Sequence, residues 1–244
     1  MQNVKITIQY DGTDFHGWQV QSSLRTVQGE LTRVLALLDS RVVTVHGAGR
    51  TDAGVHAEGQ VASFFLEREF EPRALRDAIN GNLDRDVRVF DVEFADDSFN
   101  ARSSAKLKTY RYHIWTGDVV SPFLRRYVHH HRGQVDVDAM RRAAAQLIGA
   151  HDFGAFTVAT PEVKQTVRNL MRLDVEPRGE SLLIIAAADG FLRYMVRTIV
   201  GTLMDVGRGR LSADHVSGLL ATRDRADAGP TAPACGLTLV RVDY

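Results

Sequence analysis

The densest run of chemically useful side chains is His46-Gly47-Ala48-Gly49-Arg50-Thr51-Asp52-Ala53-Gly54-Val55-His56-Ala57, where three glycines free the backbone around a single Arg-x-Asp. Such a stretch suits a strained turn that holds one side chain out for use, here the Asp52 carboxylate with Arg50 beside it. It equally suits an Asx-turn in which Asp52 bonds its own backbone, and the residue types leave both readings open. A phosphate-cradling loop does not fit, because Val55-His56 follows the last glycine where a lysine and then serine or threonine should stand. A dinucleotide fingerprint does not fit either: the glycines fall at the first, third and eighth positions, and the loop is expected to join strand to strand.

His56-Ala57-Glu58 imitates half of a zinc deaminase, but the partner Pro-Cys-x-x-Cys cannot exist in a chain whose only cysteine is Cys235. The same count removes intrachain disulfides, Cys-rich zinc centres and CxxC redox pairs, and leaves Cys235 as a buried spectator thiol. His129-His130-His131, if on a strand, point to alternate faces and cannot all ligate one metal, so a basic run toward solvent or phosphate is expected. His151-Asp152, near Phe153 and Phe156, fits an oriented acid–base histidine or a hydrogen-bonded helix-to-strand connection. Tyr110-Arg111-Tyr112 within Lys106–Trp115 interleaves aromatic and basic residues; alternation puts both tyrosines on one face, as core packing or as a platform for splayed nucleotides. Arg193 and Arg197 sit one turn apart on a helix with a strongly apolar face, so Arg197 needs a carboxylate or a route to solvent.

The elements that must position these groups follow from hydrophobic period. Val4, Ile6, Ile8 and Tyr10 alternate as a strand; Val27, Leu31, Val34, Leu35 and Leu38 recur at helical spacing between Thr26 and Asp39. Val42–His46 and Gln60–Phe65 read as strands around the glycine-rich turn, and Pro72 opens a helix that the Asn80-Gly81-Asn82 cluster should stop. Val87–Phe94 reads as a strand whose apolar phase shifts at Phe90, which predicts a bulge. The order β-α-β-β-α-β then recurs: strand Thr109–Trp115, helix Asp138–Ile148, strands Val167–Val175 and Leu182–Ala187, helix Leu192–Asp205, a shorter helix Ala213–Ala221 and strand Leu237–Val242. The acidic, small-residue stretch Ala95–Ala101 divides the pattern, giving halves 1–98 and 99–244, with a cleft between α+β halves as the natural place for a site.

The 244 residues suit one large or two small domains, and 44% hydrophobic with 25% charged residues suits a globular chain. No segment approaches the ~18 consecutive apolar residues of a membrane span. MQNVKITIQY alternates instead of reading as a signal peptide, which makes the cytoplasm the expected location. Basic and acidic residues balance at 30 each, yet nine basic and three acidic side chains between Ala101 and Arg142 leave that segment at +6 and the rest at −6. One basic surface on an acidic body is the footprint of a phosphate-rich partner.

Taken together these motifs resemble the A-type tRNA pseudouridine synthases. The likeness runs through the whole chain: Gly47–His56 resembles the family's catalytic loop, Phe99-Asn100-Ala101-Arg102 with Lys108-Thr109-Tyr110-Arg111-Tyr112 its tyrosine block, and His151-Asp152-Phe153, Met195–Gly201 and Ala232–Leu239 the remaining blocks. Asn100, where the family often has His, and Gly154-Ala155-Phe156, where Ser-Phe is usual, depart from it. The resemblance implies Asp52 as the essential carboxylate with Arg50 beside it, Arg197 as its partner, Tyr110 as the active-site tyrosine and Leu237 as an apolar wall of the base pocket. It also implies two α+β halves sharing a central, mainly antiparallel sheet with the active-site cleft between them. Further implications are a homodimer, no metal or nucleotide cofactor, no membrane, and tRNA uridines 38, 39 and 40 of the anticodon stem-loop as targets.

The chemistry suits the residues. Pseudouridine formation breaks the N1 glycosidic bond, turns the base and joins C5 to the sugar, with no redox or phosphate donor; a carboxylate serves at C1′, at an oxocarbenium, at C6, or by taking a sugar proton. A guanidinium from Arg50 or Arg197 would keep Asp52 anionic, and Tyr110 would stack on the flipped base. The rival readings are a non-catalytic RNA-binding module that uses the basic segment, and a metal-independent nuclease using Asp52 with His56 or His151.

Overall fold

The structure, a computed structural model, describes residues 1–158 and 165–244. Two compact units emerge: Met1–Lys106 together with Thr238–Tyr244, and Leu107–Leu237.

In the first unit β1 (Gln2–Tyr10) buries Val4, Ile6 and Ile8 on one face, as its alternation requires. Helix α1 (Val27–Asp39) starts where Thr26 accepts a hydrogen bond from the Gly29 N–H and buries Val27, Leu31, Val34 and Leu35. Next come β2 (His46–Gly47), β3 (His56–Leu66), α2 (Pro72–Asn82) and β4 (Val87–Ala95). β1 lies between β3 and β4, antiparallel to both. The bulge falls where the apolar phase shifts: Thr7 faces Asp91 and Ile8 faces Val89, leaving Phe90 as the extra residue.

One expectation changes here. Val42–His46 is not a strand, and pairing is confined to His46–Gly47, because the Val45 carbonyl is taken by the Gln28 side chain instead of a neighbouring strand. Helix α2 ends in the Asn80-Gly81-Asn82 cluster as expected, its last residue being Asn82, and the Asn80 amide bonds both backbone groups of Val89.

The second unit holds β5 (Leu107–Trp115), β6 (His129–His130), α3 (Val137–Ala145), β7 (Gly149–Asp152), β8 (Val167–Arg178), β9 (Ser181–Ala188), α4 (Met195–Gly207) and α5 (Ala213–Thr222). β5, β9, β8 and β7 pair antiparallel in that order, and β6 lies parallel to β5. The short strands β6 and β7 add to the elements expected from the sequence. Helix α3 ends before Ile148, and α4 begins at Met195 rather than Leu192, because Tyr194 adopts a left-handed backbone.

β10 (Leu237–Asp243) returns to the first unit, where Thr238 and Leu239 pair in parallel with His56 and Ala57. Both units mix helices with mainly antiparallel strands, so the α+β class holds. The division differs from halves 1–98 and 99–244. Residues 99–106 stay with the first unit because Asn3 donates to the Asp96 and Phe99 carbonyls, and the Ala101 N–H bonds the Ser63 hydroxyl. Tyr244 brings β10 to the same place by donating to the Ala101 carbonyl.

Candidate active site

Asp52 opens a tight turn closed by the Val55 N–H on the Asp52 carbonyl at 3.1 Å, with Gly54 at φ +78°, a value that suits glycine in the third position of such a turn. Backbone groups therefore form the turn. Asp52 is half-buried and Arg50 exposed. The strand side of the loop is pinned by the Ala48 N–H to Val61 O at 2.8 Å, and Ala48 packs with Val61 and Ala101 beneath Phe99, Val242 and Tyr244. Gln60, fully buried, donates to the Gly49 carbonyl at 3.0 Å. Tyr10 shares a buried 2.8 Å hydrogen bond with the Thr51 hydroxyl, and burial pushes its phenol up to about 12.

The other side of the loop is braced by Asp11–Trp18, which sequence reasoning passed over as a plain loop. Trp18 N–H donates to Thr51 O and Gly54 N–H donates to Phe15 O. Gly17, at φ +89°, approaches so closely that a Cβ there would lie 2.6 Å from Thr51 O; one on Gly12 would lie 2.0 Å from Val55 O. The Trp18 indole fills the space a side chain at Gly47 would need. Arg25 holds this brace in turn: its guanidinium lies 4.1 Å from the Phe15 ring centroid and bonds Asp84 and Asp86. The signal was present in Gly12, Gly17 and Trp18, but it needed the fold to show which backbone they approach.

His56 is buried, and its Nδ1 accepts the Gly12 N–H at 3.0 Å. The same nitrogen lies 3.2 Å from Asp11 Oδ1. The role is to hold the loop. His151 and Asp152 lie in β7, where His151 shares a bond with the Ile148 carbonyl and Asp152 pairs with Arg223.

In the second unit Tyr110 and Tyr112 share the buried face of β5, as alternation requires. Tyr110 meets Phe191 edge-on at 5.2 Å between centroids. Tyr112 is core: it is 0% exposed, donates to Pro233 O at 2.8 Å, and burial raises its phenol pKa well above the ordinary value. Gly236 lies against its ring, where a Cβ would come within 2.7 Å. Arg197 Nε donates to Ala232 O at 2.7 Å and Ala232 N–H returns to Arg197 O, so the segment leading to buried Leu237 is tied to both α4 and β5. Cys235 is half-buried and bonds Val128 O.

The histidine run divides as strand geometry demands. His130 bonds Gly117 O and His131 Nδ1 accepts from Arg208 at 2.8 Å; burial, with neighbouring positive charge, lowers the pKa of His129 and His131. Among the described residues no group of three His, Cys, Asp or Glu side chains could hold a metal ion. Of the nine basic residues between Ala101 and Arg142, seven are exposed and only Lys108 and Arg111 are half-buried. Asp52 and Arg50 thus belong to the first unit, and Tyr110, Arg197 and Leu237 to the second.

The family model of the tRNA pseudouridine synthases matches residues 6–102 and 143–244. The chain belongs to the tRNA pseudouridine synthase family. Proteins called tRNA pseudouridine synthase A are similar over their full length: 45% identical over 247 residues in Moorella thermoacetica and 44% over 244 residues in Geotalea uraniireducens, with 100% of both chains covered in each case. That of Anoxybacillus flavithermus is 44% identical over 245 residues, covering 100% of this chain and 99% of the relative. The synthase family is one of isomerases acting on tRNA, and membership gives the present chain that enzyme class. No helix among the described residues is long and apolar enough to cross a membrane.

Proposed function

We propose that the protein isomerises uridine to pseudouridine in the anticodon stem-loop of tRNA, at positions 38, 39 and 40, with Asp52 as the catalytic carboxylate, acting as a cytoplasmic homodimer. The observation that carries the reading is the loop around Asp52, gripped by Val61, Gln60 and Tyr10 on one side and by Gly12, Phe15 and Trp18 on the other. A carboxylate that must meet one atom of a displaced base needs this kind of fixation, since rate is lost steeply with misplacement. A phosphate-gripping module would need no such rigidity at one acid.

In the reaction the N1–C1′ bond breaks, C5 joins C1′, the C5 proton leaves and N1 gains one, so nothing is oxidised and no water is consumed. Asp52 supports this at the sugar or the base. Tyr110 stacks on the flipped base, Leu237 closes its apolar side, and Arg50 and Arg197 bind the substrate. The exposed basic residues of 101–142 meet tRNA phosphates.

The test incubates the protein in excess EDTA with a tRNA transcript tritiated at uridine C5, comparing wild type with Asp52→Asn. Label release by wild type alone from intact RNA, with the modified sites mapping to 38–40, is the expected result. Full-rate release by Asp52→Asn, or modification confined to other positions, overturns the corresponding part.

A further inference from the structure

The connection between β5 and β6 carries an aromatic side chain that the scheme above leaves without a task. Phe123 is 89% exposed, the most exposed large apolar residue among those described, and Val119 and Tyr127 are exposed with it. Arg125 and Arg126 stand exposed beside it.

A single apolar residue in water is ordinary. What sets this one apart is that its backbone is fixed at several points. At the base of the connection the Trp115 indole N–H donates to Val119 O at 3.0 Å, His130 Nε2 bonds Gly117 O at 2.8 Å, and the Thr116 N–H donates to Glu180 O at 2.8 Å. At the tip Pro122 takes the second position of a turn in which the Leu124 and Arg125 N–H groups both donate to Ser121 O, at 2.9 and 3.0 Å. The Ser121 hydroxyl accepts the Phe123 N–H at 3.3 Å, and the Tyr127 N–H closes on Leu124 O at 2.8 Å. A ring presented by a backbone already folded gives up little freedom when it binds.

The neighbours of the ring choose its partner. An aromatic face beside guanidiniums suits single-stranded nucleic acid, whose base takes the face while its phosphates take the charge. A second copy of this chain suits it less, because a two-fold contact centred on Phe123 would bring Arg125 and Arg126 toward the same cations of the other copy.

We propose that Phe123 is a stacking residue for an unpaired tRNA base other than the target uridine, with Arg125 meeting an adjacent phosphate. The proposal rests on tRNA as the substrate. Turnover of the uridine is assigned to other side chains, so removing this ring should act on affinity and not on the chemical step.

The experiment measures Kd for an unmodified tRNA transcript and for a fully paired RNA duplex, kcat for tritium release at saturating tRNA, Tm and sedimentation mass. The full chain is compared with Phe123→Ala, Phe123→Leu, Phe123→Trp and Arg125→Gln. Phe123→Ala should weaken tRNA binding about 5- to 150-fold, the loss of one base–aromatic stack, while kcat and duplex affinity stay within about twofold of wild type and Tm and mass do not change. Phe123→Leu should lose most of the same affinity, and Phe123→Trp should keep it within about twofold, since an aromatic face is what binds. Arg125→Gln should weaken both RNAs and reduce the slope of log Kd against log salt by about 1. Wild-type tRNA affinity in Phe123→Ala, full affinity in Phe123→Leu, or an equal loss on the duplex overturns the proposal; so does a fall in mass, which would assign the ring to a second copy. A wild type that binds tRNA but releases no label would instead bring down the proposed reaction and leave the stack standing.

Discussion

Replacing Gly17 by alanine tests whether the brace behind Asp52 sets the rate. Gly17 sits at φ +89°, and an added Cβ would lie 2.6 Å from Thr51 O and 3.2 Å from both Asp52 C and Ala53 N. Ordinary contact begins near 3.4 Å, so about 0.8 Å must be absorbed, and the atoms in the way are backbone that cannot rotate aside. The left-handed conformation adds about 1–2 kcal/mol for a residue with a Cβ. For a chain this size that lowers Tm by roughly 2–8 °C. The larger effect falls on rate: a displacement near 1 Å at a catalytic group costs on the order of 10²-fold. The assay is kcat for tritium release beside a thermal melt. The control is Gly81→Ala in α2, where nothing lies within 4 Å of the added Cβ, so helix propensity makes it neutral or slightly stabilising and kcat should not move. A Gly17→Ala enzyme with lowered Tm but unchanged kcat would refute the reasoning, because the brace would then support the fold and not the chemistry.

Tyr10→Phe removes the buried hydroxyl bonded to Thr51, and should lower unfolding free energy by about 1–3 kcal/mol in urea titrations, since the Thr51 hydroxyl is left without it. Gly201→Ala would set a Cβ 1.7 Å from Pro230 O, forcing α4 off the segment that leads to Leu237; loss of soluble folded protein or a Tm drop of several degrees is expected. Asp39 gives a pH test. Burial alone would raise its carboxyl pKa, but the Arg68 and Glu67 N–H groups and the Arg41 guanidinium together hold it below the ordinary value. A depressed folded pKa contributes stability that is present above the unfolded value near 4 and is lost as pH falls through the folded one. The stability gap between wild type and Asp39→Asn, read by urea titration, should therefore be full at pH 7 and shrink below about pH 4; a gap independent of pH would contradict it.

What the sequence yielded and what it withheld divide along physical lines. β1 and α1 were legible because one face of each is buried throughout, so period alone marks them. The bulge at Phe90 was legible for the same reason, as a break in period. The glycines around Asp52 announced an unusual turn. Partners contributed through space were not legible: Val45 looks like a strand residue until Gln28 caps its carbonyl, and Gly12 and Gly17 look like ordinary loop glycines until the Val55 and Thr51 carbonyls are seen against them. Tyr194 delayed the start of α4 through a backbone conformation that its side-chain type does not advertise. The split after residue 98 misplaced the boundary because Asn3, far away in sequence, ties the acidic stretch down.

The return of β10 to the first unit has a consequence for synthesis. The alanine that anchors the loop, Ala48, lies in a cluster backed by Val242 and Tyr244, so two of its packing partners are translated after everything from Leu107 to Leu237. A nascent chain exposing residues 1–106 on the ribosome has Asp52 without its full backing, and waits through the whole of the second unit for it. Contacts of such long sequence separation form late and slowly. If Asp52 is the carboxylate proposed above, its loop gains its full packing only once β10 has been made.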